Sequence, residues 1–131
     1  MDHAGKHPRV LIVDDEPSIC LTLAYRLGDA GYDVATANSL TSARDALDLV
    51  YFPVVITDLC LSGKGSLEGL EVLRHARRRS PGTGVIVMSA NVSEELREKV
   101  HLLGASRCIE KPYVIDELLD SVRGIAGEVV Q

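Results

Sequence analysis

Val10-Leu11-Ile12-Val13-Asp14-Asp15-Glu16 is the stretch that decides the fold. Four apolar residues in a row, three of them β-branched and none alternating with a polar neighbour, describe a strand covered on both faces. The abrupt change to three acids marks the strand's end, and Pro17 suits the first position of a following helix. The same grammar recurs along the chain. Val34-Ala35-Thr36-Ala37, Val54-Val55-Ile56-Thr57 and Val85-Ile86-Val87-Met88 read as strands, and Cys108-Ile109 as a weaker fifth. Between them apolar residues return at helical spacing: Ile19, Leu23 and Leu27; Ala43, Ala46, Leu47 and Val50; Leu70, Leu73 and Ala76. Leu96, Val100 and Leu103 mark a fourth helix, and Ile115, Leu118, Leu119 and Val122 a fifth. Gly31 and Gly104 sit where helix C-caps call for a left-handed residue, and Ser93 sits where an N-cap is wanted. Strand–helix repeated five times predicts an α/β fold: a doubly wound, five-stranded parallel sheet with helices on both faces.

The chain's 131 residues fit one domain and exclude two with separate cores. With 46% hydrophobic and 25% charged residues, it is neither disordered nor collagen-like. A net charge of 14 − 19 = −5 argues against non-specific binding of nucleic acid. No apolar run approaches the ~18–20 residues of a membrane span. Met1-Asp2-His3-Ala4-Gly5-Lys6 lacks the layout of a secretory signal. Cys20, Cys60 and Cys108 are odd in number and form no C-x-x-C pair, which predicts reduced thiols and a cytoplasmic protein. Residues 1–8 are expected to form a flexible N-terminus, 9–126 the domain, and 127–131 a C-terminal tail.

In open α/β sheets, ligands bind beyond the carboxyl ends of the strands. The residues found there are Asp14-Asp15-Glu16, Asp58, Ser89-Ala90-Asn91 and Glu110-Lys111-Pro112. Singly, each has an ordinary explanation: acids cap helices, serines satisfy loops, lysines are solvated. Together they mean more. Carboxylates crowded at one edge repel each other unless a cation joins them, and hard oxygen ligands suit Mg²⁺. An ammonium and a hydroxyl beside them supply what a phosphoryl group needs, and a central carboxylate can be its acceptor.

With these motifs in this order, residues 9–126 resemble the response-regulator receiver domain family. The resemblance implies a flavodoxin-like (βα)5 sheet with strand order 2-1-3-4-5. It implies Asp58 as phosphoacceptor, served by a phosphohistidine on a sensor histidine kinase or a histidine phosphotransfer protein. Asp15 and Asp58 would bind Mg²⁺ (Mn²⁺ as a substitute), with Asp14 acting directly or through water, and the backbone carbonyl of Cys60 would complete the ligands. Lys111, joined to Pro112 by a cis peptide, would pair with a phosphoryl oxygen. Ser89 would move toward the phosphoryl group as a switch. Such a domain is no conventional enzyme: it phosphorylates itself from a donor, loses the phosphate again, and controls a downstream protein or a missing output domain. It would be a monomer or a phosphorylation-linked dimer, with no membrane and no direct nucleic-acid contact.

The chain departs from the family in two places. Cys108 stands where a Tyr or Phe switch residue is usual, so output is expected to run through loop and helix displacement or through Tyr113. After Asp58, Leu61 stands in for a Met, Ser62 replaces a Pro, and Gly69 matches the family glycine only with a three-residue insertion. This loop is expected to be loose. Gly63-Lys64-Gly65-Ser66 lacks the layout of a nucleotide-binding P-loop. Two rival readings are a degenerate receiver acting only as an interaction module and an aspartyl-phosphate phosphatase. The intact acids, Ser89 and Lys111 oppose the first; Cys60, where such phosphatases carry a second acid, opposes the other. The basic run Arg74, Arg77, Arg78 and Arg79 is read as complementing a helix dipole.

Overall fold

The computed structural model describes residues 7–63 and 65–130, the last three without their side chains. The expected flexibility of the N-terminus therefore falls largely outside the described residues. Five strands alternate with five helices: β1 (Arg9–Val13), α1 (Pro17–Asp29), β2 (Asp33–Ala37), α2 (Leu40–Leu49), β3 (Val54–Asp58), α3 (Glu68–Arg79), β4 (Gly84–Ser89), α4 (Glu94–Leu102), β5 (Arg107–Glu110) and α5 (Ile115–Val130). All pairings are parallel, in the order β2-β1-β3-β4-β5. This is the expected topology.

Alternate residues of each strand face opposite layers. Leu11, Val13, Val55, Val85 and Val87 pack under α2, α3 and α4, against Leu47, Leu73 and Val100. Val10, Ile12, Ile56, Ile86 and Met88 pack under α1 and α5, against Leu23, Leu27, Leu118 and Val122. β1, β3 and β4 are buried on both faces, hence their unbroken apolar runs. Each of these fully buried aliphatic chains contributes about 1.5–3 kcal/mol. β2 lies at the sheet's edge, and its alternating Thr36 is exposed.

The punctuation behaves as the residue types require. Pro17 opens α1, and Ser93 Oγ accepts from Leu96 N at 3.0 Å to cap α4. Gly31 and Gly104 both adopt φ +104°, the left-handed conformation that L side chains avoid. α5 continues to Val130, so the helix runs through residues 127–130. Neither Gly124 nor Gly127 adopts the positive φ of a helix terminator, and Ile125 and Ala126 are buried against the sheet.

Candidate functional site

The site is built on the carboxyl ends of β1, β3, β4 and β5. Asp14 follows β1 directly, its amide donating to the Ala37 carbonyl at 3.1 Å, which extends the sheet one residue past the strand. Its Oδ1 accepts from Glu16 N at 2.9 Å, turning the chain into α1. Asp58 ends β3, and Leu59 N donates to the Met88 carbonyl at 2.8 Å, pinning that end against β4. Lys111 N donates to the Ser89 carbonyl at 2.8 Å, and the Lys111-Pro112 peptide is cis, as expected. Four strand ends are thus held in register by backbone bonds, and their side chains meet at one rim.

Carboxylate oxygens of Asp14, Asp15 and Asp58 lie within 4.8 Å of one another. Asp14 and Asp58 are buried, Asp15 is exposed, and Lys111 Nζ reaches Asp58 Oδ1 at 3.1 Å and Asp14 Oδ2 at 3.9 Å. Burial pushes the Asp14 carboxyl above its ordinary value, the Glu16 amide opposes this, and the neighbouring Asp58 charge pushes it further up. Burial alone would lower the Lys111 ammonium. The hydrogen bond and charge of Asp58, then the charge of Asp14, outweigh it and hold the group above its ordinary value. One ammonium nonetheless faces three carboxylates. Asp14 Oδ2 is buried with no hydrogen-bond partner, the single such side-chain oxygen or nitrogen among the described residues. A buried anionic oxygen without a donor is costly, and a hard divalent cation is the group this oxygen-rich donor set fits.

Ser89 reaches the same rim but turns aside. Its hydroxyl accepts from Asn91 N and donates to the Asn91 carbonyl, both at 3.3 Å, so it is engaged by its own loop. The Cys60 carbonyl, on the loop leaving β3, accepts from Gly63 N at 3.4 Å, a long bond. Cys108 is not at the rim. It pairs with Val87 in register, two residues short of Ser89, half-buried among the apolar residues beneath α4. Burial raises its thiol above the ordinary value, which disfavours the reactive thiolate.

Two features escaped sequence reasoning. His75 Nε2 lies 2.8 Å from Asp48 Oδ1, joining α3 to α2 across 27 residues of sequence. The basic run divides: Arg77 turns inward onto the carbonyls of Pro81 and Thr83, while Arg79 pairs with Asp48. No local pattern signals either.

A family model described as "Response regulator receiver domain" matches residues 10–123. The chain belongs to the response regulator receiver domain family. It is a receiver domain of the two-component response-regulator type, the class of module that interacts with histidine kinases. It is 36% identical over 110 residues to the alginate biosynthesis transcriptional regulatory protein AlgB of Pseudomonas putida. That match covers 84% of this chain and 24% of AlgB, so the receiver spans about a quarter of that relative's length. Among solved structures, a CheY-like response regulator receiver domain protein of Methanospirillum hungatei superposes with TM-score 0.85 at 26% identity, covering 94% of this chain and 96% of that one. The beryllofluoride-activated NtrC4 receiver domain dimer superposes with TM-score 0.81 at 30% identity, covering 92% and 98%. Among the described residues, no helix of this receiver is long and apolar enough to cross a membrane.

Proposed function

We propose that this receiver is a phosphoacceptor: Asp58 takes a phosphoryl group from a phosphohistidine on a sensor histidine kinase or a histidine phosphotransfer protein. The observation that carries this reading is the buried Asp58 carboxylate, held 3.1 Å from Lys111 Nζ beside an Asp14 oxygen that has no donor of its own. An Asp58 oxygen attacks the phosphorus, the P–N bond to the donor imidazole breaks, and the imidazole leaves with its electron pair. Lys111 stands beside the acceptor oxygen and would pair with a transferred phosphoryl oxygen, offsetting charge that develops there. Asp15, Asp58 and the Cys60 carbonyl would hold Mg²⁺ (Mn²⁺ as a substitute), with Asp14 direct or through water. Such a cation neutralises charge that Lys111 alone leaves unbalanced.

The transferred group adds close to two negative charges. Ser89 can answer them by leaving Asn91 and donating to a phosphoryl oxygen, which carries its loop inward and biases the α4–β5 surface. With Cys108 on β5, no large ring at that position follows the movement, so the signal passes through displacement of the loop and α4. The phosphate is later lost by hydrolysis. The receiver works in the cytoplasm, as a monomer or a phosphorylation-linked dimer, and controls a downstream protein or an output domain. Neither direct nucleic-acid contact nor membrane attachment belongs to this reading.

Incubation with Mg²⁺ and acetyl phosphate tests it. The wild-type chain should gain one acid-stable, base-labile phosphate and Asp58→Asn none; equal labelling of the two overturns the assignment.

A further inference from the structure

We propose that Gly69 is a positioning residue for Asp58, one whose lack of a side chain sets where the acceptor carboxylate stands. The inference rests on the reading of Asp58 as acceptor. Gly69 is the second residue of α3, and its amide donates to the Leu59 carbonyl at 2.9 Å. A Cβ placed there would run into the Asp58 carbonyl oxygen and lie 2.6 Å from Leu59 Cα. Both are backbone atoms, and neither can swing aside as the end of a long side chain would.

What surrounds them leaves little room to yield. The Asp58 carbonyl already accepts from Thr57 Oγ1 at 3.0 Å, and Leu59 N is bonded to β4. β3 lies between β1 and β4, while α3 is sunk into the core by Leu70, Val72, Leu73 and Ala76. Relief therefore falls on the one junction that joins them, Asp58–Leu59, where the acceptor side chain is rooted. A displacement of even 1 Å there would break the 3.1 Å bond to Lys111 and respace the carboxylates. Misplacement on that scale costs reactions on the order of 10²-fold.

The same clamp explains why the longer loop does not disturb the rim. Leu61 is fully buried at one end of the loop and Gly69 is clamped at the other. Between these anchors Gly63 and Gly65 adopt positive φ.

The test compares Gly69→Ala with Gly84→Ala. A Cβ at Gly84 is also crowded, but by Ile125 Cγ2 at the opposite end of the sheet. Both are made again in a Gly124→Ala background, where the new methyl meets nothing within 4 Å and the helix gains a better former. Mg²⁺ affinity by calorimetry, acetyl-phosphate labelling rate at saturating Mg²⁺, and the amide resonances of Asp58 and Leu59 without metal are read on folded protein. Gly69→Ala should shift those resonances and lower both affinity and maximal rate by tenfold or more, with Gly84→Ala near wild type in all three. Wild-type affinity and rate in Gly69→Ala, or parallel losses in the two variants that follow their melting temperatures, overturn the inference. A wild-type chain that takes no phosphate would instead sink the acceptor reading and leave the resonance comparison standing.

Discussion

At the amino rim of the sheet, Thr83 donates its hydroxyl to the Phe52 carbonyl at 2.7 Å, and Arg77 ties together the carbonyls of Pro81 and Thr83 at 2.6 and 2.7 Å. At the carboxyl rim, two buried aspartates share a single lysine beside an exposed third, and Asp14 keeps a buried oxygen with no donor. Both rims carry polar groups below the surface. One closes its hydrogen bonds within the chain, as buried polar groups generally do; the other leaves a buried carboxylate oxygen open. The fold can hold an unsatisfied cluster because β1, β3 and β4 are stabilised along their whole buried length, independently of what their ends do. The contrast separates structure from function more sharply than burial does.

Removing a partner from the closed rim should give the largest stability effect. Arg77→Ala deletes two hydrogen bonds from a charged donor and uncovers the turn at Gly104, where the arginine lies against the backbone. Urea denaturation should show a loss of about 2–3 kcal/mol. Acetyl-phosphate labelling of the folded variant should be unchanged, since nothing at the carboxyl rim moves. Impaired labelling at equal folded fraction would break the separation of the two rims.

The open rim should respond in the opposite direction. Asp14→Asn keeps an oxygen for the Glu16 amide and replaces the orphaned anionic oxygen with a group that can donate to Asp58. In metal-free buffer at pH 7 it should stabilise the fold by about 1–2 kcal/mol, while weakening Mg²⁺ binding. The same asymmetry has a pH signature. Because the folded state raises Asp14 above its ordinary value of 3.8, it binds that proton more tightly than the unfolded chain does. Stability from this group is therefore full below the unfolded value and is lost as pH rises through the folded one. Mg²⁺ needs the ionised form, so its stabilising shift in melting temperature should grow from pH 4 to pH 7 in wild type and flatten in Asp14→Asn. A destabilised Asp14→Asn, or a shift independent of pH, would show that the rim is closed after all.

Cys108→Tyr should have the smallest effect. Cys108 borders a groove of about 750 Å³ between α4 and β5, flanked by Val100, Ala105 and Arg107, which has room for a ring. Thermal unfolding should change by less than about 1 kcal/mol. If Tyr at this position also leaves the phosphorylation-dependent change in partner affinity untouched, the thiol serves packing alone. A changed coupling would place Cys108 in the signal path.

Sequence alone determined the alternation of strands and helices, because a doubly covered strand must be continuously apolar and a surface helix must repeat near 3.6 residues. It also determined which acids, hydroxyl and ammonium share a rim, since parallel strands joined by right-handed crossovers deliver every carboxyl end to one side. Tertiary structure alone decided which carboxylate oxygen is orphaned, that Ser89 is engaged by Asn91, that His75 meets Asp48, and that Arg77 turns inward. It decided too that a Cβ at Gly69 would strike the backbone beneath Asp58. Each of these depends on the approach of atoms brought together by packing, at separations that no periodicity or capping rule encodes. The physical divide is range: burial patterns and strand ends are written locally in residue type, whereas donor satisfaction and close approach exist only once the layers have closed.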